Sequence, residues 1–137
     1  MKVTNTNMLE ALDKFGRKYS YPLYLTVADM SSFFSSGRNQ RLGFAAISDI
    51  DELLLIQYPL FGLAEPVYLS FSSLSLESAK FGKLLGTHRV KLVFRADGKK
   101  MRYNLTIASK VAMTDLYEQE QNLYGFIDTL KKWAASI

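Results

Sequence analysis

Residues 88–96 and 99–109 are two runs of alternating apolar and polar side chains that meet at Asp97-Gly98, and no other feature of the chain restricts its fold as tightly. A period of two sends successive side chains to opposite faces of a strand. Asp-Gly accepts the positive φ angles of a type I′ turn, whose twist matches that of the strands it joins. A two-residue loop then sets the register. Ala96 faces Lys99, Arg95 faces Lys100, Phe94 faces Met101, Val93 faces Arg102, Leu92 faces Tyr103 and Val90 faces Leu105. One face of this hairpin carries Val90, Leu92, Phe94, Met101, Tyr103 and Leu105; the other carries Arg89, Lys91, Arg95, Lys100 and Arg102.

An apolar hairpin face needs further layers to cover it. Upstream, Met8, Leu12 and Phe15 recur at helical spacing behind Asn7, which with Glu10 resembles a capping box, and this short helix ends near Gly16. Strands are expected over 21–27, with Pro22 tolerable only near the start, over 42–47, over 52–58 and over 66–71. The run 52–58 has no period that separates strand from helix; Pro59 and its strand-like neighbours favour strand. Residues 31–39 surround Phe33 and Phe34 with turn chemistry and read as a hairpin loop or surface excursion. Residues 75–85 remain open. From Thr114 the period turns helical: Leu116, Glu120, Leu123, Ile127, Leu130 and Ala134 form one stripe with Phe126 and Trp133 beside it. That helix, about 114–135, must cover a sheet, a barrel end or the same helix of a second subunit. The expectation is an α+β protein of one domain, 1–137, with an antiparallel β-barrel or strongly curved sheet over about 8–113.

The charge is as uneven as the pattern. The chain carries a net +4, yet residues 80–110 hold nine Lys and Arg against Asp97 alone, a surplus of eight, while the segments on either side are each at −2. Directly opposed cations such as Arg95 and Lys100 repel unless an anion or a carboxylate lies between them. The face Arg89, Lys91, Arg95, Lys100 and Arg102 is therefore the candidate partner or anion site, against the plain alternative of a solvated, aggregation-resistant strand face. Phe33, Phe34, Phe126 and Trp133 are candidate interface residues, the last two for a homodimer through the C-terminal helix.

Reactive chemistry is thinly supplied. There is no cysteine and one histidine, His88, so thiolate zinc sites, paired histidine ligands and thiol nucleophiles have no residues to make them. No nucleophile or metal partner stands beside His88 in the sequence. Asp49, Asp51 and Glu52 lack the further oxygens and the glycine of a calcium loop and read as turn and cap residues. Gly82-Lys83-Leu84-Leu85-Gly86 lacks phosphate-loop spacing. No catalytic residue, metal or cofactor is assigned. No apolar run reaches the roughly 18–20 residues of a membrane span and no signal-peptide core follows the N-terminus, so the reading is a cytoplasmic protein without a membrane partner.

The runs 44–59, 90–98 and 103–107, in this order and with Pro22-Leu23-Tyr24-Leu25 behind a short helix, resemble the N-terminal split-barrel domain of flagellar brake proteins, which precedes a PilZ domain in bacterial cyclic di-GMP receptors. The resemblance implies a barrel module that engages another protein, in cyclic di-GMP-linked motility or secretion. It does not extend to ligand residues. Arg38 and Arg41 are one residue too close for the PilZ Arg-x-x-x-Arg segment, and Phe34 stands where its downstream turn has glycine, so cyclic di-GMP is not an expected ligand. The order of elements is also similar to that of class I type III secretion chaperones, which are acidic dimers. The expected function is a non-enzymatic regulatory adaptor that engages an acidic protein through the basic hairpin face. Nucleic acid held by its phosphates is the alternative; with Tyr103 on the opposite face, base stacking is not expected.

Overall fold

The structure is a computed structural model that describes residues 2–31, 42–58 and 65–137, with 27–31 described by backbone alone. It is an α+β fold of two antiparallel four-stranded sheets with a short helix before them and a longer one after. The first helix, α1, runs Asn5–Asp13, beginning three residues earlier than a capping box with Asn7 as its cap suggests. Its cap is Thr4, whose Oγ1 accepts a hydrogen bond from the Asn7 amide at 3.1 Å, leaving Asn7 inside the helix.

Sheet A contains β1 (Tyr19–Leu25), β3 (Leu42–Ser48), β4 (Glu52–Tyr58) and β5 (Val67–Ser72) in the order β1-β3-β4-β5. Sheet B contains β2 (Val27–Ser31), β6 (Leu76–Leu84), β7 (Thr87–Ala96) and β8 (Lys99–Ala108) in the order β2-β8-β7-β6. Among the described residues the chain passes between sheets at two corners. At Thr26 both the amide and Oγ1 donate to the Thr106 carbonyl, at 3.0 and 2.9 Å, and this turns β1 into β2. A 3-10 turn at Ser73–Ser75, with Ser72 Oγ accepting from the Leu74 amide, leads β5 into β6. In place of the expected barrel or single strongly curved sheet there are, among the described residues, two packed sheets and no closed barrel, since strands change sheet at these corners rather than continuing one ladder.

Between the sheets lie Leu23, Leu25, Leu53, Leu55, Phe71, Val90, Leu92, Phe94, Tyr103, Leu105 and Ile107. The opposite face of sheet A is also buried. There Phe44, Ala46 and Ile56 meet Met8, Ala11 and Leu12 of α1, with Leu116. Burial on both faces explains why Leu53-Leu54-Leu55-Ile56 shows no alternation, and it is a strand, as its neighbours suggested.

The C-terminal helix α2 runs Gln119–Ala135, shorter at its start than the pattern from Thr114 suggests. Leu116 still fits the apolar stripe, but it precedes the helix and packs beneath α1. Across the sandwich, α2 contributes Leu123, Phe126, Ile127 and Leu130 to the inter-sheet core. It docks on the free edge of β1 through polar side chains. Gln119 Oε1 accepts from the Tyr24 amide at 2.9 Å, its Nε2 donates to the Tyr24 and Ala108 carbonyls, and Asn122 Nδ2 donates to the Pro22 carbonyl at 2.9 Å. Gln119 is almost fully buried, and these bonds satisfy a strand edge that would otherwise be covered without partners.

Candidate functional site

The β7–β8 hairpin has the register its turn dictates: Asp97 and Gly98 have φ of 53° and 76°, and Arg95 stands opposite Lys100 and Val93 opposite Arg102. With Val90, Leu92, Phe94, Tyr103 and Leu105 committed to the core, Arg89, Lys91, Arg95, Lys100 and Arg102 are exposed together on the outer face of sheet B. The strand β6 widens this face. Lys80 pairs with Lys91, which pairs with Asn104; Ser78 pairs with Val93, which pairs with Arg102; Gly82 pairs with Arg89, which pairs with Thr106. On the far side β2 continues all three rows, with Val27 opposite Thr106, Asp29 opposite Asn104 and Ser31 opposite Arg102 in register.

The repulsion foreseen between Arg95 and Lys100 is answered from within the chain. A register shift between Leu76 and Ser78 sets Glu77 beside both: its Oε1 pairs with Arg95 Nε, and its Oε2 lies 3.7 Å from Lys100 Nζ. The hydrogen bond from Arg95, with the charges of Arg95 and Lys100, holds the Glu77 carboxyl below the usual carboxylate range. Among the described residues no carboxylate lies within ion-pairing distance of Lys80, Arg89, Lys91 or Arg102. Lys80, Lys91 and Arg102 border a shallow depression of about 430 Å³, with Ser78 and Asn104 adding an hydroxyl and an amide. This arrangement can hold an extended anionic surface, by charge at four points and by neutral donors between them.

Sequence reasoning missed Lys80, Ser78 and Asn104. A signal existed for the first two, because Ser78, Lys80 and Gly82 alternate with Ala79 and Phe81 in the stretch left open. Nothing local announced that Glu77 would close on Arg95. Of the expected interface residues, Phe33 and Phe34 lie outside the described residues. Phe126 is fully buried in the core of the chain itself and is not exposed for a second subunit. Trp133 is half-buried against the same core. Asp51 and Glu52 serve the β3–β4 turn, where the Asp51 and Glu52 amides donate to the Ser48 carbonyl and Oγ, and Glu52 pairs with Arg17 at 3.0 Å.

Among the described residues no group of three or more Asp, Glu or His side chains is placed to hold a metal ion. No described helix is long and apolar enough to cross a membrane. No family model, no curated protein and no solved structure matches the chain.

Proposed function

We propose that the protein is a non-enzymatic binding module whose outer sheet B face, centred on Lys80, Lys91 and Arg102 with Arg89 beside them, engages an acidic protein surface. The observation that carries this reading is the division of charge: Glu77 neutralises one end of the face, while four neighbouring cations keep no carboxylate partner among the described residues. The two rows Lys80–Lys91 and Arg95–Lys100 have the same like-charge opposition, and only the second is relieved internally. An acidic protein is favoured over nucleic acid because Tyr103 and Phe94 of the hairpin point into the core, and the face offers no described aromatic ring for a base to stack on. The split-barrel resemblance supports a module that acts by engaging another protein, in cyclic di-GMP-linked motility or secretion.

The test is fluorescence anisotropy with a Glu/Asp-rich peptide, a short DNA, a short RNA and cyclic di-GMP, each at several salt concentrations. The expected result is saturable peptide binding that Lys80→Glu, Lys91→Glu and Arg102→Glu together abolish, with the melting curve unchanged. Tighter binding to DNA or RNA that falls by orders of magnitude between about 50 and 200 mM salt would replace the acidic partner with a nucleic acid backbone. Peptide binding unaffected by the triple variant would remove the face from the function.

A further inference from the structure

Between the turn end of the β6–β7 hairpin and one side of α2 lies a groove of about 390 Å³ that the basic face does not account for. Its apolar wall is made by Phe81 and Ile127. The Tyr124 ring stands edge-on to the His88 imidazole, with centroids 6.4 Å apart. Two cations flank the groove from two elements, Lys83 of β6 and Lys131 of α2, while Arg89 of β7 borders it from the outer face of sheet B. Asp128, the acidic residue of the lining, already holds Lys132 at 3.1 Å, and neither Lys83 nor Lys131 has a carboxylate within ion-pairing distance among the described residues. Lys131 Nζ sits 5.5 Å from the centroid of the Phe81 ring.

His88 Nε2 is enclosed here and meets no hydrogen-bonding atom of the described chain. Enclosed polar atoms without partners are uncommon in folded proteins and call for an explanation. Sites for small molecules are concave and largely apolar, with a few convergent polar groups. A flat ring suits the Phe81, Ile127 and Tyr124 wall, and a multiply charged oxyanion suits the Lys83 and Lys131 pair.

We propose that this groove is a binding site for a small phosphorylated molecule bearing a flat aromatic ring, with the phosphate held by Lys83 and Lys131 and the ring set against Phe81 and Tyr124. The reading stands apart from the proposed function of the outer face, to which the Arg89 side chain belongs.

His88 also provides the readout, because it is the only histidine and gives a single imidazole resonance. In the free protein, burial first and then Lys83 and Lys131 hold its pKa below the ordinary value. Asp128 and the Tyr124 hydroxyl are the other titratable groups of the lining. A phosphate seated among the same cations offsets their charge and raises the His88 pKa.

The experiment follows the His88 Cε1 proton by NMR while AMP or GMP is added at pH 7, with adenosine and inorganic phosphate as half-probes. The expected result is a saturable shift with at least one nucleotide, an upward-moved His88 titration, and affinity weakened about tenfold or more by Lys83→Glu with Lys131→Glu. Lys80→Glu with Arg102→Glu should leave that affinity unchanged. Lys83→Ala with Lys131→Ala, checked by circular dichroism, separates lost charge from misfolding. No shift at millimolar nucleotide, equal affinity for phosphate alone, or equal loss in the Lys80 and Arg102 variant would overturn the proposal.

Discussion

An added Cβ at Gly43 would lie 1.8 Å from the Ile56 carbonyl oxygen, a main-chain atom held by the β3–β4 ladder. Relief requires the backbone of two buried strands to part, so Gly43→Ala is expected to cost about 3 kcal/mol or more, read from the urea midpoint. Gly82, in β6, meets nothing within 4 Å of the same added atom. Gly82→Ala should therefore change stability by less than about 0.5 kcal/mol. Tyr103 presents a different problem. Its ring packs against Phe71 at 5.0 Å, yet its hydroxyl is enclosed without a hydrogen-bond partner among the described residues. Tyr103→Phe removes that unpartnered oxygen and keeps the ring, so it should be neutral or stabilising by up to about 1 kcal/mol. Burial pushes the Tyr103 hydroxyl up to about 12. An unfolded phenol ionises near 10, so the protonated form stabilises the fold fully below pH 10, and that contribution is lost as pH rises to about 12. Tyr19, raised to about 12 by burial and then by its bond to Asp13, acts in the same sense. Alkaline unfolding followed by circular dichroism should be shallower in Tyr103→Phe over this window, with the remaining slope due in part to Tyr19.

At the level of elements, α2 joins the sandwich as much by polar docking as by its apolar stripe. Gln119 bridges β1 and the end of β8 through Tyr24 and Ala108. Gln119→Ala would leave an amide and carbonyls facing a covered edge, a loss of about 2–3 kcal/mol with earlier exchange of the Tyr24 amide. Further along the helix, Gly125 admits the Tyr21 ring, which a Cβ would meet at 2.1 Å. On β6, Glu77 divides the basic face into a neutralised and a free part. Its carboxylate is favoured in the fold, so its contribution is present above the ordinary carboxylate pKa and is lost as pH falls through the lowered value. Glu77→Gln should free Arg95 and Lys100, tighten binding to an acidic peptide and steepen its salt dependence at neutral pH. Unchanged salt dependence would mean that Arg95 and Lys100 take no part in recognition.

Across the whole molecule, the apolar side of α2 is used inside the chain: Leu123, Phe126 and Leu130 are fully buried against both sheets. What α2 leaves outside is mostly polar, with Tyr124 the large exposed apolar residue between Gln119 and Ala135. Light scattering is therefore expected to give the 15.5 kDa of one chain, and twice that mass would point to a self-association surface other than this stripe. The same packing shows how far local pattern carries. The β7–β8 hairpin was legible to the residue, because an Asp-Gly turn and a period of two act over neighbouring positions. The strand character of 52–58 was legible from Pro59 and its strand-like neighbours rather than from any period, and the long C-terminal helix from its helical stripe.

The partition of charge was legible on β7 and β8, since alternation assigns each residue a face. Alternation does not choose a neighbour. Hydrophobic burial is non-directional, so the pattern left open which strands share a sheet and led to a barrel where the chain makes two sheets joined at Thr26 and Ser73–Ser75. The Gln119 amide meets Tyr24 across 95 positions, and Glu77 meets Arg95 across 18 by way of a bulge. The groove at His88 needs β6, β7 and α2 at once. The amino-acid sequence by itself determined the faces, the turn and the segregation of cations, because these follow from residues a few positions apart. The neutralised half of the face, the capped edge of β1 and the His88 groove were decided by tertiary structure, because each depends on where distant segments are brought into contact.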